Sequence, residues 1–334
     1  MRDDFTWVDG ERLIRFGAGA LAEAPDLLAR RGFDGYALLT TPRAELSLLA
    51  DGAAVVLHVP PGEVPAAAAA VRGDVEGRPL VALGGGRVLD SAKAIAGADG
   101  LPCAAVPTTL SGAELTRIHR MPAGVDQFTL VRPSVVIADP ALMASAPMPR
   151  LAASAMNSLG HAAEALYHPL ANPVTDAAAL EAARLISDGL GSEEPDRQQL
   201  ALGAVLAGYA LGSTGLLVHH IVSQSVVRTA GTPHAETNAV ILPHSLRLMS
   251  VRAPEALGRL AHAFGSDSTD PDRAVAQAAV LCARAGVTKL ADLGVEWPQL
   301  DEIVQVALGR PELRITPEPP GARELKELLE HAFE

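Results

Sequence analysis

Residues 80–96, LVALGGGRVLDSAKAIA, constrain this chain more than any other stretch. A short apolar run at 80–83 meets Gly84, Gly85 and Gly86 without a break, and Val88, Leu89, Ala92 and Ile95 then recur at helical spacing. That order predicts strand, glycine turn and helix. Glycines admit positive φ and let a ligand approach the backbone. A helix starting behind them aims free N–H groups and its positive dipole end over the turn, which suits a phosphate. The spacing is not G-x-G-x-x-G, and without Gly-Lys-Ser/Thr it is not a P-loop. Glycine turns of this kind also serve plain packing, so the meaning of this one rests on its flanks.

Further apolar runs predict strands at 12–16, 36–40, 54–57, 104–106 and 135–138. Helical patterns separate them at 21–31, from Thr41-Pro42-Arg43 onward, and at 64–71. Such alternation implies a parallel sheet covered on both faces, with ligands beyond the carboxyl ends of its strands. Gly84, Gly85 and Gly86 fall at one such end, and Thr108 and Thr109 at another. After Pro147-Met148-Pro149, alanine- and leucine-rich helical patterns run to a last helix at 322–333. The expected fold is α/β: an N-terminal Rossmann-like, parallel-sheet, dinucleotide-binding domain over 1–148, then an all-helical substrate and metal domain over 149–334.

A chain of 334 residues, 49% hydrophobic, can build two cores. With net charge −12 and no basic cluster interleaved with aromatics, no nucleic acid partner is expected. Cys103 and Cys282, the only cysteines, build neither a disulfide framework nor a metal cluster, which fits a reducing cytoplasm. The acidic start, with no apolar signal core behind it, agrees. Residues 200–218 are uncharged and of membrane length. Their glycines, and the His219-His220 pair behind them, instead predict a buried helix broken near Gly212 to Gly215, with no membrane contact.

Asn157 and His161 stand four apart, as do His220 and Gln224, so each pair shares a helix face. His234 follows a Gly231-Thr232-Pro233 turn. Two helices and a loop can bring three imidazoles and an oxygen donor to one point, a set that suits Zn²⁺ or Fe²⁺. The same residues also read as hydrogen-bonded core histidines.

The order and spacing of several pieces carry more than any one of them. They are Arg15-Phe16-Gly17 with Gly19, the turn from Gly84 to Lys93, Pro107-Thr108-Thr109 with Gly112 and Glu114, and Asp139-Pro140. Then come Asn157 through Tyr167, His219-His220, Pro233-His234-Ala235-Glu236-Thr237 and Leu242-Pro243-His244. Together they resemble the iron-containing alcohol dehydrogenase family, and within it the maleylacetate reductase branch. The resemblance implies the dehydroquinate synthase-like architecture of that family, with the active site in a cleft, and a homodimer. It implies NADH or NADPH delivering hydride to a small oxo-acid carboxylate such as maleylacetate, an intermediate of aromatic breakdown. It assigns the cofactor to Gly84, Gly85, Gly86, Arg87, Asp90, Lys93, Thr108 and Thr109, and catalysis to His161, His220, His234 and Gln224. The family's metal ligands, an aspartate and three histidines, map to Asn157, His161, His220 and His234. An amide is a weaker ligand than a carboxylate, so a divalent metal, Zn or Fe, is expected to be weakly held or absent.

At the end of the second predicted strand, Thr40-Thr41 with Arg43 stand where a carboxylate would bind the ribose 2′-OH. NADPH is therefore expected to be accepted at least as well as NADH. Departures from the family touch the site. Gln224 replaces a histidine of proton transfer, Arg87 and Ala113 replace serines, Asp126-Gln127 stand in place of a lysine, and residues 225–228 lack glycines. The alternatives are a non-redox enzyme of the same fold in a secondary-metabolite pathway, performing an elimination, cyclisation or decarboxylation, or a non-catalytic binding protein.

Overall fold

The computed structural model describes residues 4–44 and 46–334. Of the acidic start, Arg2 and Asp3 lie outside the described residues. The chain divides into two compact units, Met1–Ser145 and Ala146–Glu334.

The first unit holds seven strands: β1 (Phe5–Asp9), β2 (Arg12–Phe16), β3 (Ala37–Thr40), β4 (Val55–His58), β5 (Leu80–Gly84), β6 (Cys103–Pro107) and β7 (Val135–Ala138). They form one sheet in the order β1-β2-β7-β6-β5-β3-β4. Pairing is parallel throughout except between β1 and β2. β3, β5, β6 and β7 are buried along their whole length, which is why they read as unbroken apolar runs. Side chains of β5 alternate between two cores. Leu80 and Ala82 pack with α3 (Val64–Arg72) and α4 (Gly86–Asp99), and Val81 and Leu83 with α1 (Ala24–Arg30) and α2 (Ser47–Ala50).

Three expectations change in this unit. β1 is an additional edge strand whose alternating exposure and two-residue turn through Gly10, at φ +61°, close a hairpin onto β2. The helix expected from Leu21 opens with a 3₁₀ turn at Ala20–Glu23. The helix expected from Thr41 starts only at α2, because Thr41 to Ala44 form a turn closed by Ala44 N–H donating to Thr41 O at 2.9 Å. A last short helix, α5 (Pro140–Met143), is capped by the Asp139 side chain.

The second unit is helical: α6 (Met148–Tyr167), α7 (Pro173–Gly191), α8 (Arg197–Ser213), α9 (Val218–Ala230), α10 (His234–Ser250), α11 (Pro254–Ala263), α12 (Pro271–Ala283), α13 (Gln299–Leu308) and α14 (Ala322–Phe333). α6 is buried on nearly every face from Leu151 to Tyr167 and runs through the core of this unit. Small residues set its neighbours' approach: a Cβ on Gly160 would collide with the His219 ring. The uncharged run breaks as expected, with α8 and α9 meeting at 99°. Among the described residues no single helix is long and apolar enough to cross a membrane.

Candidate functional site

In the first unit, β5 empties into the glycine turn and α4 starts at Gly86, with Gly85 as its N-cap. No side chain caps this end, so N–H groups of the first turn are left for a ligand. The glycines are not there for positive φ; Gly85 sits at φ −83°, ψ −175°, and neither Gly84 nor Gly86 has positive φ. They are there for space. A Cβ on Gly84 would strike Val88, and one on Gly85 would lie 3.0 Å from Thr109 Cγ2. A Cβ on Gly86 would touch Ser111 at 3.4 Å. Thr108 is joined to the turn by its N–H, which donates to Gly84 O at 3.0 Å. The buried Thr109 Oγ1 has no partner among the described residues. Bare backbone donors, a cradle that any Cβ would fill and an orphaned hydroxyl fit a dinucleotide's phosphates. Arg87 is exposed on the first turn of α4, and Thr41 and Arg43 lie in the turn after β3.

Lys93 departs from its assignment to the cofactor. It is fully buried, and its Nζ donates to the carbonyls of Ala113 (2.8 Å), Ile118 (2.9 Å) and Thr116 (3.2 Å) while pairing with Asp90 Oδ1 at 2.8 Å. An ammonium has three donors, so Lys93 is spent on fixing residues 113–118 beside α4, with Asp90 as the nearby counter-charge. Glu114, carried on that segment, is fully buried with neither carboxyl oxygen hydrogen-bonded among the described residues, and burial pushes its pKa up to about 7.

In the second unit, α6, α9 and α10 bring the singled-out histidines together. The His161 and His220 rings stack at 4.6 Å, and the His219 ring meets His220 edge-on at the same distance. His234 is near enough for its charge to be felt by His161. It is the first residue of α10, where a loop position was expected, and its residue surface is exposed. Asn157 Nδ2 lies 3.5 Å from His161 Nε2.

The shortest contact in the cluster belongs to Glu164, an acid three residues beyond His161 that the sequence offers only as a substitute metal ligand. Glu164 Oε2 lies 2.7 Å from His220 Nδ1 and accepts from Leu217 N–H at 3.0 Å, while Oε1 accepts from His220 N–H at 3.3 Å. All three partners are N–H donors, which suits an acceptor-only carboxylate. Its signal was an acid inside an otherwise apolar helix, a residue type rarely buried unless paired. Glu164 holds the His220 proton on Nδ1 and leaves Nε2 as a lone pair. Among the described residues, His220 Nε2, His161 Nδ1 and Asn157 Oδ1 are buried without hydrogen-bond partners. Orphaned atoms gathered in one place mark a ligand site.

Burial, then the charges of His220 and His234, hold the His161 pKa well below the usual histidine range. A standing imidazolium at His161 is therefore not favoured at neutral pH. Gln224 lies one turn beyond His220, but its partner is Arg310, whose Nη1 donates to Gln224 Oε1 at 3.1 Å. The neighbour of His220 Nδ1 is Glu164.

These donors do not fit a tightly held metal. The set is three imidazoles and an amide, which is a weaker fourth donor than the carboxylate the family resemblance implies there, and two of the rings stack. Among the described residues no three His, Cys, Asp or Glu side chains converge as ligands.

Residues 12–140 match the family described as iron-containing alcohol dehydrogenase, and residues 151–333 match the C-terminal part of the Fe-containing alcohol dehydrogenase family. The chain belongs to the iron-containing alcohol dehydrogenase family. As a member it is an oxidoreductase, an NAD(P)H-dependent reductase of that family. It is 36% identical to maleylacetate reductase 1 of Rhodococcus opacus over 272 residues, covering 78% of this chain and 74% of the relative. Identity to maleylacetate reductase 2 of Cupriavidus pinatubonensis is 35% over 274 residues, or 76% of each chain. The crystal structure of maleylacetate reductase from Agrobacterium tumefaciens superposes with a TM-score of 0.83 at 30% identity, over 100% of this chain and 99% of that one. The α/β unit followed by a helical unit is thus the family's architecture.

Proposed function

We propose that this family member reduces a small unsaturated oxo-acid of the maleylacetate class, as its relatives' names describe for them, and so serves the breakdown of aromatic compounds. The observation that carries the reading is the buried Glu164–His220 pair beside the orphaned atoms of His161 and Asn157. The dinucleotide, held at Gly84, Gly85, Gly86, Thr108 and Thr109, supplies the hydride. Hydride added to an alkene conjugated with a ketone places the charge on the ketone oxygen as an enolate, and a proton on carbon completes the reduction. His220 Nε2 takes up and returns that proton, and Glu164 on Nδ1 balances the imidazolium while it exists. His161 and the Asn157 amide supply neutral hydrogen bonds to the substrate's oxygens. No step is routed through a metal, since a neutral amide at Asn157 stands where the family has its anionic ligand.

NADPH is accepted beside NADH in this reading, since Thr41 and Arg43 follow β3. A homodimer and a cytoplasmic location belong to the same proposal, the first on the family resemblance and the second on cysteine usage. The test is the absorbance at 340 nm after mixing NADH or NADPH with maleylacetate. A fall that needs both enzyme and substrate is expected. A protein that binds the dinucleotide yet leaves the absorbance unchanged overturns the reading.

A further inference from the structure

We propose that Arg310 is a positioning residue that locks the Gln224 amide as a hydrogen-bond donor toward a carboxylate oxygen of the substrate. The inference rests on the function proposed above. Gln224 lies one turn after His220 on α9, so it shares the face that carries the proton-handling histidine. Arg310, 86 residues further on, donates from Nη1 to Gln224 Oε1 at 3.1 Å. A guanidinium has donors only, so the atom it meets must be the amide oxygen, however the amide is drawn. Arg310 is itself clamped. Its Nε and Nη2 fork onto the Glu312 carboxylate at 3.2 and 3.0 Å, and its side chain is 17% exposed. The Gln224 Nε2 group, with two N–H donors, makes no other hydrogen bond among the described residues.

The charge of Arg310 is matched by Glu312, so the pair adds no net cation to the site. What it adds is polarity. A glutamine free to turn would offer an oxygen as readily as a nitrogen, and an oxygen repels a carboxylate. Held by Arg310, position 224 offers N–H alone, and a hydrogen bond to an ionised acceptor is the stronger kind.

The test is steady-state kinetics of the full chain with maleylacetate and NADH. Arg310→Met should raise KM about tenfold, the worth of one hydrogen bond to a charged group, with a smaller effect on kcat. NADH affinity by fluorescence titration should not move. Arg310→Lys, whose ammonium also only donates, should restore most of KM. Gln224→Met should raise KM as Arg310→Met does, and the double variant should be no worse than either single one. An unchanged KM in Arg310→Met, or additive effects in the double variant, overturns the inference. Should Arg310→Met fail to fold, Gln224→Glu decides, because its carboxylate keeps the Arg310 contact but offers only oxygen. KM must then rise, and a parental KM overturns the inference. A parent that oxidises no NADH with maleylacetate removes the proposed function, and this inference with it; an active parent whose KM ignores Arg310 removes this inference alone.

Discussion

Glu164 Oε2 lies 2.7 Å from His220 Nδ1, 56 residues away in the chain, with both side chains buried. The same carboxylate also takes two backbone N–H groups at the start of α9. Glu164→Gln must turn an NH₂ group toward one of these donors. We expect kcat to fall by about ten- to a hundredfold, as when the partner orienting a histidine is lost. Breaking a buried pair should also cost about 3 kcal/mol of stability. Kinetics with a thermal melt check both, and a parental kcat in folded Glu164→Gln would show that His220 needs no such partner.

Gly85→Val places a branched side chain where even a bare Cβ lies 3.0 Å from Thr109 Cγ2. Thr109 must yield, and the approach to the first turn of α4 is blocked. Dinucleotide affinity, read by fluorescence titration, should fall tenfold or more while the circular dichroism of the chain is kept. Unchanged affinity in the folded variant removes the turn from the cofactor site.

The exposed Arg43 stands in the turn after β3. A 2′-phosphate gains from a guanidinium there, and NADH has nothing for it to hold. Arg43→Ala should therefore raise KM for NADPH several-fold and leave KM for NADH as it is. A strong NADH preference in the parent would sink the assignment.

Burial raises the Glu114 carboxyl from 4.5 to about 7, so between these values the folded chain binds a proton that the unfolded chain releases. Stability from this group is full below about pH 4.5 and is lost as the pH rises toward 7, by an amount on the order of 3 kcal/mol. The buried imidazoles of His161 and His219 act oppositely. They stay neutral when folded, so their contribution is present above the ordinary histidine pKa and is lost as the pH falls below it. Glu114→Gln should remove the first slope and keep the second, which denaturant unfolding at several pH values will show. An unaltered profile would mean that Glu114 is not the group titrating.

With a neutral amide at Asn157 in place of an anionic ligand, purified protein should carry well below one divalent metal per chain. Chelator should leave turnover largely intact, while His161→Ala and His234→Ala should abolish it. Stoichiometric zinc or iron on elemental analysis, with activity lost on chelation and regained on metal addition, would overturn this.

Elements whose cause is local are legible in the order of the residues. The fully buried strands show as apolar runs, α4 shows as a glycine turn followed by helical spacing, and the break between α8 and α9 shows in Gly212 and Gly215. The pairing of Asn157 with His161, and of His220 with Gln224, follows from four-residue spacing alone. What each buried group meets depends on the folded chain. Lys93 turned inward to three carbonyls, Glu164 found His220, and Gln224 was polarised by Arg310, contacts that span 20 to 86 residues. The three glycines served close packing and not positive φ, and β1 found its place only by pairing with β2. Helical and strand periodicity is written in neighbouring residues. The partner that satisfies a buried charge or amide is chosen by which distant backbone arrives beside it, and no spacing along the chain encodes that.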